Sequence, residues 1–323
     1  MLSTIKFIAQ VGGLALRGRF PQARSLLIKK YTRLLRRYYA RRKPQGVAIM
    51  AESWDYLIIL DACRYDYFAR SYPRYLSGDL QKRISRGSST SNWLLENFTG
   101  FYDDTVYVST NPHCSDHEIH GFQGSEHFHH IEHVWKYAWD EKLDTVVPGE
   151  VTRAALKLKA QYPDKRMIIH YIQPHGPWIG KTRISGAEVE LAPALSTSGD
   201  GKWTVDIRVW EMVREGRFDI AKLKQAYQDN LDLVLAEVQQ LVAQLDGRIV
   251  VSADHGEAFG ERFIISHPPY IYTKELIEVP WLVIEKAKQD HPAKEQPAAQ
   301  SAPEPSSDDD KLTERLRALG YVD

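Results

Sequence analysis

The chain has 323 residues, of which 43% are hydrophobic and 26% charged, so it is long and apolar enough to bury a large core. Only two cysteines, Cys63 and Cys114, are present, which excludes a disulfide framework and suits a reducing compartment such as the cytoplasm. The formal net charge of zero conceals an asymmetry: residues 1–46 carry many Lys and Arg and no Asp or Glu, so the remainder is net acidic.

The first apolar stretch, 7–16, is about half of what a bilayer crossing needs and contains Gly12 and Gly13, so no transmembrane helix is expected there. A signal peptide is disfavoured, because Arg17 and Arg19 stand where small residues should precede cleavage. Over 22–43 the apolar residues Ala23, Leu27, Tyr31, Leu34, Leu35 and Tyr38 alternate with Lys29, Lys30, Arg33, Arg36, Arg37 and Arg41, the pattern of a basic amphipathic helix. Two readings of it stand side by side. One is peripheral attachment to an anionic membrane surface, at the inner face; the other is a helix docked on the chain's own main domain with its basic face in water. Nucleic acid is disfavoured as a partner, since no base-reading or stacking motif accompanies the charge. The expected organisation is a basic arm (1–46), a main domain (47–286), a disordered Pro, Ala, Ser and Asp-rich linker (287–310) and a short C-terminal helix or tail (311–323).

Within the main domain, 55–61 reads as a first core strand that delivers Asp61 at its carboxyl end, with Arg64 just beyond. Gly87-Ser-Ser-Thr90-Ser91 is a hydroxyl-rich turn running into a helical pattern. A hydroxyl there lies beside free N–H groups at a helix start, either to serve chemistry or simply to cap the helix. Residues 105–109 read as a strand. Seven of the twelve histidines fall in 113–133, whose spacing fits no zinc pattern, so this segment reads as a polar loop at the mouth of a site. A helix over 148–162 precedes a strand over 166–173 that carries His170 and Gln173 and runs into Pro174-His175. Residues 182–216 show no clear period and read as an insertion over the site, and 218–245 as one long helix. The apolar run Ile249-Val-Val reads as a buried parallel strand ending in Asp254-His255-Gly256-Glu257. An anionic oxygen beside an imidazole nitrogen suits zinc or manganese better than calcium, although Asp254 as a turn cap and His255 as packing is the plainer alternative. His267 follows a loop, and 279–285 closes the set as a strand.

Strands alternating with helices predict an α/β fold, a three-layer α/β/α sandwich with a mostly parallel central sheet. Three strands then present Asp61, His175 and the Asp254/His255 pair at equivalent ends, which is where chemistry sits in open parallel sheets. The set permits in-line displacement at phosphorus or sulfur. A cation held by Asp61, Asp254 and His255 would lower the pKa of a threonine hydroxyl, and His175 and His267 would stabilise the departing oxygens, alone or through a second cation.

In their order along the chain, Asp61, Gly87-Ser-Ser-Thr90, His170-Tyr-Ile-Gln173-Pro-His175-Gly-Pro, Ser252-Ala-Asp254-His255-Gly256-Glu257 and His267 resemble the alkaline phosphatase and sulfatase superfamily over roughly 54–285. The Gly-x-x-Thr turn is similar to that of phosphoethanolamine and phosphoglycerol transferases. That resemblance implies Thr90 as nucleophile, Asp61, Thr90, Asp254 and His255 as ligands of a first metal, and His175 and His267 as ligands of a second metal or of substrate. It implies one or two divalent ions, zinc first with manganese or calcium as alternatives. It also implies an anionic ester substrate such as a lipid headgroup or glycan, contacted by Arg64, Ser91, His170 and Gln173. The sequence departs from the family pattern in three ways. No transmembrane helices are expected ahead of the domain, Asp61 stands where those transferases commonly have Glu, and Gln173 replaces the Asp that sulfatases carry before Pro-His. Neither cysteine lies in a Cys-x-Pro-x-Arg motif, so a formylglycine sulfatase is disfavoured. Sulfate-ester hydrolysis by an unmodified hydroxyl, and a catalytically reduced binder of anionic glycans or headgroups, remain the alternatives.

Overall fold

The computed structural model describes residues 2–189 and 205–287. In chain order its strands are β1 (Tyr56–Leu60), β2 (Asp79–Ile84), β3 (Tyr102–Ser109), β4 (Phe128–His133), the short pair β5 (Trp139–Asp140) and β6 (Thr145–Val146), β7 (Arg166–Tyr171), β8 (Arg248–Ser252), the short pair β9 (Ala258–Phe259) and β10 (Ile265–Ser266), and β11 (Glu278–Glu285). The helices are α1 (Leu2–Leu16), α2 (Phe20–Tyr39), α3 (Tyr65–Ser71), α4 (Thr90–Asn97), α5 (Val134–Tyr137), α6 (Pro148–Gln161), α7 (Val205–Glu215), α8 (Ile220–Gln244) and α9 (Lys274–Ile277). Seven strands form the central sheet in the order β2-β11-β8-β1-β7-β3-β4, in which only the two pairings made by β11 are antiparallel.

The continuous apolar runs of β1 and β8 follow from burial on both faces. Leu57, Ile59, Ile168 and Val250 pack on one side against Trp93, Leu94 and Phe98 of the α4 region, and Ile58, Leu60, Ile169 and Val251 pack on the other against Leu158, Tyr227, Leu231 and Leu235 of α6 and α8. The expected α/β/α layering is therefore present, with the heavier helical layer on the α6–α8 face. In α8, Leu223, Tyr227, Leu231, Val234, Val238 and Leu241 are fully buried, as the period over 218–245 requires.

The structure corrects the sequence reading at three places. The segment 113–133 is not loop throughout, since its last six residues form β4. This is an edge strand pairing with β3 alone, and half-exposed histidines blur its two-residue period. The opposite edge, β2, reads Asp-Leu-Gln-Lys-Arg-Ile and was hidden for the same reason. Residues 205–215 of the expected aperiodic insertion form α7, with Val209, Trp210, Met212 and Val213 buried; read in one window with 182–204, their period is diluted. Apart from residue 287, the expected linker and terminal helix lie outside the described residues.

The arm is helical and fastened to the domain. Ala23, Ser25 and Ile28 of α2 are buried. The Ser25 hydroxyl donates to Glu211 Oε1 of α7 at 2.7 Å, Lys29 pairs with Glu211 at 3.0 Å, and Arg24 donates to the Val213 carbonyl at 2.8 Å. Further along α2, Tyr31 meets Phe263 edge-on and Tyr39 meets Tyr272. Leu27, Leu34 and Tyr38 remain exposed. Among the described residues, no helix is long and apolar enough to cross a membrane.

One buried side chain of α8 fixes the loop that carries His175. Asn230 Nδ2 donates to the carbonyls of His175 and Pro177, each at 3.1 Å, while Oδ1 accepts from the N–H groups of Ile179 at 2.8 Å and Gly180 at 3.0 Å. Asn230→Leu would leave these backbone groups unpaired in the interior, and urea denaturation should show a loss of about 4 kcal/mol. A loss within experimental error of zero would refute this bracing role.

Candidate active site

β1 sits between β7 and β8 in parallel register, so the carboxyl ends of the three strands open side by side. Asp61 is the first residue after β1, Asp254 the second after β8, and His170 lies within β7. Asp254 divides its two oxygens between structure and site. Oδ1 accepts from the N–H of His255 at 2.8 Å and from that of Ala62 at 3.1 Å, where the chain turns through a positive φ of 57°. Oδ2 is left to face the Thr90 hydroxyl at 2.8 Å. Tyr227 closes the same turn, its hydroxyl donating to the Ala62 carbonyl at 2.7 Å and accepting from the Arg64 N–H at 2.9 Å.

The capping reading of the hydroxyl turn holds for Ser89, and the neighbouring Thr90 is free of that task. Ser89 is the N-cap of α4 and its side chain accepts from the Asn92 N–H, whereas Thr90 is the first helical residue and turns its hydroxyl inward. Gly87 makes the turn possible, because a Cβ there would lie 2.4 Å from the Trp93 nitrogen. Thr90 Oγ1 is 2.8 Å from Asp254 Oδ2, 3.3 Å from His255 Nε2 and 3.4 Å from Asp61 Oδ2. The four side chains named for a first metal thus meet.

The electrostatics of this group follow from burial. His255 Nδ1 lies 2.8 Å from the Gly256 carbonyl and must donate to it, so the Nε2 lone pair faces Asp254 Oδ2 at 3.3 Å and Asp61 Oδ1 at 3.7 Å. Burial, with His267 nearby, holds the His255 imidazole well below its usual range and keeps it neutral. Gly256 cannot carry a side chain, since a Cβ would fall 2.2 Å from the Glu275 carbonyl. Asp61 Oδ2 accepts from Asn111 Nδ2 at 2.7 Å, while its buried Oδ1 has no hydrogen-bond partner. Burial and the charge of Asp254 push the Asp61 carboxyl up to about 7. Two buried carboxylates, an unpartnered oxygen and an unprotonated imidazole nitrogen, whose donor atoms lie within 4.8 Å of one another, form a donor set that fits a divalent cation of the zinc type.

A second group lies beside the first. The β9–β10 register pairs Ser266 with Ala258, which sets the adjoining residues His267 and Glu257 opposite each other, and His267 Nδ1 is 3.1 Å from Glu257 Oε2. His175 joins them, its ring centre 5.0 Å from that of His267, and the three present donor atoms within 4.8 Å of one another. Burial opposes charge on His175, yet Asp206, Asp61 and Glu257 outweigh it and hold the imidazole up at about 9. On His267 burial likewise opposes charge and Glu257 prevails, raising it.

The four residues expected to contact substrate are placed differently from one another. Ser91 lines a cavity of about 530 Å³, together with Ser89, His113, His120 and His267. His170 is near the centre but fully buried. Its Nε2 stands 3.7 Å from Asp61 Oδ2, its Nδ1 is 2.7 Å from the Tyr107 hydroxyl, and burial drives it down to about 4. Gln173 is fully buried and donates to the Val146 carbonyl at 3.0 Å, away from the cavity. Arg64 is committed elsewhere, to Asp66 at 2.9 Å and Glu261 at 2.7 Å. Arg64 and the Gln173 amide nitrogen thus hold loops, while the buried Gln173 Oε1 has no hydrogen-bond partner.

Sequence reasoning missed Asn111, Glu257 and Asp206 as site residues. Asn111 follows β3, another parallel strand, so the strand-end rule would have found it. Glu257 closes the Asp-His-Gly-Glu run. Asp206, whose carboxyl burial raises, belongs to α7 and gave no signal in the sequence.

No protein-family model and no curated protein matches the chain. Among solved structures it is similar to the soluble domain of lipooligosaccharide phosphoethanolamine transferase A from Neisseria meningitidis, at 17% identity over 72% of this chain and 78% of that one, with a TM-score of 0.49. It is similar to the periplasmic domain of EptC from Escherichia coli in complex with zinc, at 12% identity over 75% and 76% with a TM-score of 0.45. It is also similar to the lipoteichoic acid synthase LtaP from Listeria monocytogenes, at 11% identity over 73% and 66% with a TM-score of 0.42. At these identities and TM-scores the chemistry of the site is read from its own geometry.

The raised Asp61 carboxyl has a measurable consequence. In chelator-treated protein the folded state keeps that proton up to about pH 7, whereas the unfolded chain releases it near the ordinary value of 3.8. The folded state therefore binds more protons across this window, and its stability falls as pH rises through it. Denaturation midpoints of chelated protein should decline from about pH 4 to about pH 7, and Asp61→Asn should flatten the decline. A wild-type profile already flat over this interval would contradict the assignment.

Proposed function

We propose that the chain is a metal-dependent enzyme that transfers or hydrolyses phosphate esters through a covalent intermediate on Thr90. The observation that carries this reading is the convergence of Asp254 Oδ2, His255 Nε2 and Asp61 Oδ2 within 2.8, 3.3 and 3.4 Å of one buried hydroxyl. A divalent cation held by Asp61, Asp254 and His255, with zinc the first candidate, supplies Lewis-acid stabilisation of charge on the hydroxyl and on the ester. The chain's own groups do the rest. Asp254 Oδ2 accepts the Thr90 proton along the existing hydrogen bond while Oγ1 attacks phosphorus. The position of Thr90 in the first turn of α4 aims backbone N–H groups and the helix dipole at the anionic ester. His175 and His267, both raised, stand ready to donate a proton to the departing oxygen, and Glu257 orients His267. Water or an acceptor hydroxyl then attacks the phosphothreonine and regenerates Thr90, which is the point at which hydrolase and transferase diverge.

Because Ser89 caps α4, Thr90→Ala removes the nucleophile without removing the cap. Turnover of an aryl phosphodiester should fall at least about 1,000-fold while circular dichroism stays as in wild type, and dialysis against a chelator should abolish turnover until zinc is returned. Undiminished turnover by the variant would dismiss the mechanism, and faster turnover of an aryl sulfate than of the phosphodiester would move the substrate from phosphate to sulfate.

We also infer that the arm places the enzyme at an anionic membrane surface. Phe20, Leu27, Leu34 and Tyr38 are exposed on α2, and Ile5, Ile8 and Leu16 on α1, among basic residues. Sedimentation with anionic vesicles should be strong, salt-sensitive and about tenfold weaker in Phe20→Gln/Leu34→Gln. Equal sedimentation of variant and wild type would reject the attachment.

A further inference from the structure

The helix that fastens the arm also lines the cavity to which Ser89 and Ser91, on either side of Thr90, contribute. Lys29, Thr32, Arg33 and Arg36 of α2 line it together with Ser89, Ser91 and His267, and among the described residues no Asp or Glu lines it. Positions 29, 32/33 and 36 share one helical face, where like charges repel unless something answers them. Lys29 has an answer, since it pairs with Glu211, and Arg214 pairs with the same carboxylate at 3.3 Å. Arg33 and Arg36 have none, because no carboxylate among the described residues pairs with either. Burial and the neighbouring charge of Arg33 lower the Arg36 guanidinium, the behaviour of cations crowded without a counter-ion. Two planar guanidinium groups one helical turn apart suit phosphate oxygens, to which arginine binds in bidentate fashion. His267 and the two serines flanking Thr90 line the same volume of about 530 Å³, so the arginines share one cavity with the neighbours of the reacting hydroxyl. That is room for a substrate spanning both.

We propose that Arg33 and Arg36 form a subsite for a second phosphate group on the substrate, distinct from the phosphate attacked by Thr90. This rests on the phosphoester reading and narrows it to esters with at least two phosphates. Both a phosphorylated lipid headgroup and a phosphorylated glycan meet that chemistry.

The test uses the full chain and a matched pair of compounds, 4-nitrophenyl glyceryl phosphate and the same diester phosphorylated on the far glycerol hydroxyl. Binding is measured by calorimetry on the zinc-loaded Thr90→Ala protein, and kcat/KM on the wild type. The doubly phosphorylated compound should be favoured about tenfold or more in both measurements. In Arg33→Gln/Arg36→Gln the preference should fall to about one, and Arg33→Lys/Arg36→Lys should restore part of it by charge alone. A glucosamine-based pair tells the carriers apart, since the carrier with the larger preference is the one the cavity was shaped for. Equal binding of both compounds by protein with intact arginines, or a preference that survives in the Gln variant, overturns the subsite. Failure of the catalytic reading looks different: neither compound would be turned over by wild type, while the binding preference would persist.

Discussion

Two carboxylates buried against an unprotonated imidazole nitrogen are the arrangement on which the rest of the site depends. Asp61 and Asp254 are both buried, the charge of Asp254 raises the Asp61 carboxyl, and the fold holds them there by other means. Asp254 is fixed because one of its oxygens serves two backbone N–H groups. Asp61 is fixed because it leaves the central strand directly into a turn clamped by Tyr227. Such frustration is tolerated where the sheet and its two helical layers over-determine the local geometry, and it is what makes the position receptive to a cation.

Around that centre the remaining elements have intelligible positions. The β9–β10 hairpin sets His267 opposite Glu257, Asn230 of α8 holds the loop of His175, and α7 brings Asp206 close to His175. Two groups result, of unlike character. One is anionic, buried and rich in oxygen. The other is rich in imidazole and raised in basicity by its carboxylates. A reaction that places negative charge on both an entering and a departing oxygen is served by this contrast, since each oxygen meets a different kind of partner.

Much of this was legible in the chain because the informative residues sit where the periodicity is strong. Ile249-Val-Val and Leu57-Ile-Ile-Leu are buried on both faces and so announce themselves as parallel strands, and the residues that follow them are the ones that converge. The edges were not legible. β2 and β4 are paired on one side only and carry polar residues that erase the alternation. Arg64 and Gln173 carry a related ambiguity: a polar residue at a strand end can serve the site or hold the loop that forms it, and the sequence spacing is the same in both cases. Asp206 was out of reach, because its place beside His175 is set by the docking of a helix far along the chain. Of the two readings of 22–43, the structure shows the docked helix, with Ala23 and Ile28 packed inward while Leu27 and Leu34 remain in solvent.

The division of labour between Ser89 and Thr90 reaches beyond this one chain. The residue that caps the helix and the residue whose hydroxyl faces Asp254 are neighbours but not the same, so the cap makes no demand on the identity of the second. Position 90 is thereby open to evolutionary exchange: a serine or cysteine arising there by mutation would inherit a finished helix start and the same flanking carboxylates, and only its reactivity would be new.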